Sequence, residues 1–200
     1  MGKKINPVFF RLGKTNPYHS LWYSNKNHYG KILKSDILIK EILKKNLFYI
    51  SISYIDIIIT NVLKLNIYLT DFEKFDEFYK FLDLLIIEIS KILQKNVLIN
   101  FIFENNINAK VLSISILKQI NNKISIKRLM KKEVLKFINH FDGCKIQISG
   151  RIEGVDIARK EWYLVGSIPL HTIRNKIDFY FSECITQYGV LGIKTWVFKK

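Results

Sequence analysis

The stretch Lys145-Ile-Gln-Ile-Ser-Gly-Arg-Ile-Glu-Gly-Val-Asp-Ile-Ala-Arg-Lys-Glu-Trp-Tyr163 decides how the second half of this chain folds. Lys145 to Ser149 and Glu161 to Ser167 read as short β-strands, with glycines 150 and 154 marking turns between them. One helical piece is expected around Asp156 to Arg159. Lys176 to Phe181 and Ile193 to Phe198 read as two further strands. Upstream, Ala109 to Ile120 and Ile126 to Phe141 read as helices. The expectation is an α/β unit over residues 106–200, with a mostly antiparallel sheet packed on helices.

The second of those helices carries the clearest charge pattern. Ile126, Met130, Val134, Phe137 and Phe141 fall within about 80° of arc at ~100° per residue. Lys127, Arg128, Lys131, Lys132 and Lys136 centre on the opposite side, and only Glu133 dilutes them. The pattern predicts a stiff basic ridge on a packed core, suited to tracking phosphates by charge without reading bases. The alternative is a solvated face in a Lys-rich protein.

Charge across the whole chain favours a polyanionic partner. Of 200 residues, 27 are Lys and 5 are Arg, and the formal net charge is +15. Residues 106–200 hold +10 of it and residues 1–105 hold +5, so the second half should grip a polyanion harder. Ile occurs 34 times, Asn 16 times and Ala twice. Lys, Ile, Asn and Phe share A/T-rich codons, so the composition points to an A+T-rich genome, in an organelle or a reduced bacterium. Three of the five arginines are Arg151, Arg159 and Arg174. Against a Lys-biased background they stand out, because a planar guanidinium pairs bidentately with phosphate. Arg159 could instead pair with Glu161 or Asp156.

The first half reads differently. Met1 to Tyr23, with Pro7, Gly13 and Pro17, is expected to be an irregular basic arm carrying Lys3, Lys4, Arg11 and Lys14. Asn27 to Asn46 reads as a helix, Phe48 to Ile59 and Leu63 to Leu69 as strands turning near Asn61. Phe72 to Leu93 reads as an amphipathic helix and Val97 to Glu104 as a strand. Asn105, Asn106 and Asn108 form a polar break. The expected domains are therefore an arm over 1–23, a domain over 24–105 and a domain over 106–200.

Several classes are disfavoured. With 48% hydrophobic residues the chain can build a core, unlike a disordered tail. Its most membrane-like window, Leu47 to Leu63, contains Asp56 and falls short of the ~20 apolar residues that a span needs. Cys144 and Cys184 are far apart and lack metal-ligand spacing, so no metal and no cofactor is expected. His19, His28, His140 and His171 form no HExxH, and there is no GxSxG or P-loop. No catalytic residue is assigned. His171, within Pro169-Leu-His-Thr-Ile-Arg174, reads as a structural or RNA-stacking histidine.

Several of these segments together resemble a known family. Met1-Gly-Lys-Lys-Ile-Asn-Pro7, Phe10-Arg-Leu-Gly13, Trp22-Tyr23 and Asp36 resemble the opening of the universal small-subunit ribosomal protein three family, in its bacterial and organellar form. Ile148 to Gly154, Ile157 to Tyr163, Pro169 to Arg174, Ile177-Asp178 and Tyr188 to Phe198 continue the likeness in the family's order. The resemblance implies an α+β protein with an N-terminal KH type II-like domain and a C-terminal family-specific domain. It implies a place in the head of the small subunit, on small-subunit rRNA, beside ribosomal proteins ten and fourteen. It also implies that Lys127, Arg128, Lys131 and Lys132 line the channel where messenger RNA enters. The rRNA-binding candidates are Lys3, Lys4, Arg11, Lys136, Arg151, Arg159, Lys160, His171 and Arg174. A KH domain clamps nucleotides with a GXXG loop. Residues 70–96 contain no glycine, and Thr70 to Glu88 carries a net −4, so the clamp is expected to be lost. The long tail of many relatives is expected to be absent after Lys200. A free RNA-processing or DNA-nicking enzyme on the same fold is the competing reading.

Overall fold

A computed structural model describes residues 4–46, 52–60, 62–70, 86, 87, 89–91, 96–103, 108–120, 125–137 and 141–199. In chain order these hold α1 (Pro7–Arg11), β1 (Ser20–Trp22), α2 (Tyr29–Asn46), β2 (Ile52–Ile59), β3 (Leu63–Leu69) and β4 (Val97–Phe103). There follow α3 (Ala109–Ile120), α4 (Ile126–Phe137), β5 (Gly143–Gly150), β6 (Arg159–Gly166), β7 (Ile177–Thr186) and β8 (Gly189–Phe198). The protein is α+β and forms two compact units. One joins residues 1–17 to 106–200, and the other spans 18–105.

The unit spanning 18–105 is a four-stranded mixed sheet in the order β1-β2-β3-β4. β2 and β3 are antiparallel, while β1 lies parallel to β2 and β4 parallel to β3. Leu63, Leu65, Ile67 and Leu69 alternate toward one buried face, where Ile39 and Leu43 of α2 join the same core. A parallel β3–β4 pair needs a crossover. Residues 86, 87 and 89–91 between them are helical, and Ile89 is fully buried. The rest of the helix expected over Phe72 to Leu93 lies outside the described residues. So do Asn61, Asn105, Asn106 and residues 48–51.

The other unit packs α3 and α4 on one face of an antiparallel sheet ordered β6-β5-β8-β7. Leu112 and Ile116 of α3 and Leu129 of α4 meet Ile146, Ile148 and Ile193 of the sheet in one core. Two polar bonds pin α3 down. Asp178 Oδ2 accepts the Ala109 N–H at 2.7 Å, which satisfies a donor at the helix start. Thr195 Oγ1, fully buried, donates to the Ala109 carbonyl at 2.9 Å.

Three expectations need correction. The irregular arm expected over 1–23 holds regular pieces, α1 and β1, and its described residues up to Pro17 group with 106–200. Pro7 punctuates by starting a helix, at the first position behind Asn6, whose side chain caps Val8 N at 2.9 Å. No helix forms at Asp156 to Arg159. A short 3-10 turn, Ile152–Gly154, precedes it instead. Gly154 has φ +83, and a Cβ there would meet the Tyr188 ring at 3.1 Å. Finally, β7 and β8 are longer than expected, because their outer halves form a hairpin closed by Gln187 and Tyr188. Glycines 189 and 192 and the exposed Ile185 and Val190 obscure the period there.

Candidate nucleic-acid interface

The basic face of α4 is built by its opposite side. Ile126, Leu129, Met130 and Val134 are buried, and so is Glu133. That buried stripe covers about 140° at ~100° per residue, wider than the apolar residues alone predict. It turns Lys127, Arg128, Lys131, Lys132 and Lys136 outward, all exposed, with Leu135 exposed in their midst. Phe141 is not helical, and packs partly buried against the core.

Glu133 thus dilutes the ridge at one place only, through Lys136. Its carboxylate lies between the two helices and accepts from Ser115 Oγ at 2.5 Å, Gln119 Nε2 at 2.6 Å and Lys136 Nζ at 2.7 Å. Burial pushes its pKa up, but these hydrogen bonds and the Lys136 charge outweigh burial and hold it below the ordinary value. Lys136 is thus committed to Glu133, which weakens it as an rRNA contact. Lys127 reaches Glu161 of β6 only at 3.9 Å and is 78% exposed. Arg128, Lys131 and Lys132 form no hydrogen bond or ion pair among the described residues.

The second candidate group divides. Arg151 is engaged internally: Nε donates to the Val155 carbonyl at 3.1 Å and Nη2 pairs with Asp156 at 3.1 Å. These bonds brace its own turn, while the side chain stays 43% exposed. The internal pairing considered for Arg159 belongs to Arg151 instead. Arg159, Lys160, His171 and Arg174 are exposed.

Arg11 is the plainest departure. It was expected to meet RNA directly, yet it is fully buried. Nε donates to the Asn175 carbonyl at 2.8 Å, and Nη2 to those of Leu170 at 2.9 Å, Thr172 at 3.0 Å and Pro169 at 3.3 Å. Nη1 donates to the Pro7 carbonyl at 3.2 Å. Burial lowers its pKa from the usual value. Lys4 is exposed, and Lys3 lies outside the described residues.

Sequence reasoning missed the open face of the antiparallel sheet. There Lys145 Nζ lies 5.5 Å from the Trp162 ring centre and 5.3 Å from that of Trp196, and Lys194 lies 5.9 Å from that of Phe181. The alternation of Lys145 with Ile146, and of Lys194 and Trp196 with Ile193 and Val197, was the available signal. Among the described residues no group of His, Cys, Asp or Glu is placed to hold a metal, and no helix is long and apolar enough to cross a membrane.

Unpaired cations on a rigid helix, and more on β6 and the loop before β7, are the surface of a polyanion-binding protein. Residues 116–197 match the family described as "Ribosomal protein S3, C-terminal domain". The whole chain is 54% identical over 200 residues to a small ribosomal subunit protein uS3 of Carsonella ruddii, covering 98% of that protein. It is 35% identical to the uS3 of Caulobacter vibrioides over 214 residues, covering 82% of it, and 35% identical to that of Geotalea daltonii, covering 97%. The chain belongs to the small ribosomal subunit protein uS3 family and is a structural, RNA-binding constituent of the small ribosomal subunit. Carsonella is a reduced, A+T-rich bacterium, in keeping with the composition.

Proposed function

We propose that Lys127, Arg128, Lys131 and Lys132 line the channel through which messenger RNA enters the small subunit. Arg159, Lys160, His171 and Arg174 then hold rRNA in the head, beside ribosomal proteins ten and fourteen. The observation that carries this reading is the row of exposed cations on α4, fixed from below by the Leu129–Glu133 side of the helix. A rigid helix spares the cost of ordering the backbone when its cations meet phosphate, and each phosphate neutralised on a single strand contributes about −0.7 to the salt slope of binding.

In this reading the 18–105 unit is a KH-like scaffold that has lost its nucleotide clamp. A helix, an antiparallel pair and a strand added parallel support that reading, as does the lack of glycine over 70–96. The acids over Thr70 to Glu88 would repel phosphate; all six lie outside the described residues.

The test replaces Lys127, Arg128 and Lys131 with Ala together. Small subunits carrying the variant should assemble in normal yield on gradients. Translation of messengers with structure just downstream should fall several-fold more than that of unstructured ones. Failure of subunit assembly would make the ridge an rRNA anchor instead.

A further inference from the structure

We propose that Arg11 is a positioning residue, which shapes the loop of residues 168–176 into a preformed RNA-phosphate-binding finger; this rests on the RNA-binding reading above. Four carbonyls of that one loop, at residues 169, 170, 172 and 175, converge on a single guanidinium. Every hydrogen-bond partner of the Arg11 guanidinium is a neutral carbonyl, the fifth being that of Pro7. The loop has three local backbone bonds of its own, Leu170 N to Ile168 O at 2.9 Å, Thr172 N to Pro169 O at 3.3 Å and Asn175 N to Thr172 O at 3.4 Å.

Two consequences follow. With the carbonyls drawn inward, the side chains of His171, Thr172, Arg174 and Lys176 are left exposed. The buried cation also adds a positive charge against the backbone that carries them. No acid occurs from residue 167 to 177 to cancel it, and the nearby Asp178 is engaged at the start of α3. Lys176, not singled out by the sequence, thereby joins His171 and Arg174. A loop held in one shape before binding loses less freedom on meeting its ligand.

Only Arg fits this role. Its planar fork directs five N–H donors along fixed directions, whereas Lys offers three from one point and cannot reach carbonyls on opposite sides.

The experiment uses the full chain and a transcript of the head domain of a bacterial small-subunit rRNA, titrated over a range of salt. Arg11→Lys should weaken binding about fivefold and lower the salt slope by about 1, as the loss of one phosphate contact does. In a chain already carrying His171→Ala and Arg174→Ala, the same replacement should change affinity less than about twofold, since coupled residues are not additive. Equal losses in both backgrounds, or no loss in the first, would overturn the proposal and leave Arg11 a purely structural tie. Should the variant not fold, hydrogen exchange on the wild-type chain decides. Slow exchange at Leu170, Thr172 and Asn175 without RNA supports a preformed loop, and exchange that slows only when the transcript is added refutes one. If the wild-type chain does not bind the transcript beyond its affinity for an unrelated RNA, the RNA-binding reading itself fails.

Discussion

Replacing Glu133 with Gln tests the arrangement that fixes the basic helix. Gln keeps the shape, with one carbonyl oxygen to accept from Gln119 Nε2 and the Lys136 ammonium and an NH2 to donate to Ser115 Oγ, so what it removes is the charge that these donors now meet. Hydrogen bonds to a charged group contribute ~1.5–3 kcal/mol each. The Lys136 side chain is 45% exposed and regains water, so that bond is largely replaced. Gln119 is less exposed and recovers less. Neutral bonds contribute about 1 kcal/mol each, so the expected loss is about 1–2 kcal/mol at neutral pH, read as a lower urea midpoint of the transition involving residues 106–200.

The pH dependence carries the sharper sign. The Glu133 pKa is lower in the folded chain than in the unfolded one. Its contribution is present above the unfolded value, ~4.3, and is lost as the pH falls through the folded value. The stability gap between wild type and Glu133→Gln should thus be full at pH 7 and shrink in strong acid. A gap that stays constant with pH, or a variant within about 0.5 kcal/mol of wild type at pH 7, would refute the claim that a buried carboxylate joins α3 to α4.

Other expectations are quickly checked. Leu129→Ala should cost about 2–5 kcal/mol in urea melts, while Leu135→Ala, on the exposed face of the same helix, should cost under about 0.5 kcal/mol. Gly166→Ala should prevent folding of its unit or destabilise it by more than about 3 kcal/mol, because φ is +70 and the new Cβ would fall 2.1 Å from the Asp142 carbonyl oxygen. Circular dichroism of the purified variant reads that directly. Burial raises the Cys144 thiol to about 12, so iodoacetamide at pH 8 should label it only after unfolding. Labelling at the rate of a free thiol would show that the site opens.

Much of this was legible because hydrophobic period maps directly onto burial. α3 and β3 occupy the ranges their patterns predict, and Arg128, Lys131 and Lys132 are exposed as the helical period requires. Glu133 shows the limit of that logic. A wheel assigns an acid to the polar side, yet its i−4 neighbour Leu129 is fully buried, and a charge flanked that way needs partners from another helix. Ser115 and Gln119 cannot be located without the fold. Arg11 is a harder case. The carbonyls it binds carry no sequence signature and lie 158 to 164 residues away, Pro7 apart. The 3-10 turn at Ile152–Gly154 was missed for a related reason, because Gly154 packs against the ring of Tyr188, 34 residues on.

The order of strands in the antiparallel sheet bears on how the protein emerges during synthesis. β8 is made after all its sheet neighbours, yet it lies between β5 and β7. The sheet therefore stays split until the chain has been made as far as Phe198. α1 waits longer still, because it is made first and belongs to the unit finished last. Residues 18–105, complete in themselves, are free to fold in the interval, consistent with domains folding as units as they are made. Throughout that interval the guanidinium of Arg11 lacks the carbonyls that later enclose it. The nascent protein thus displays a cation that the finished one hides, and a mature N-terminal segment can form only once the far end of the chain has been read.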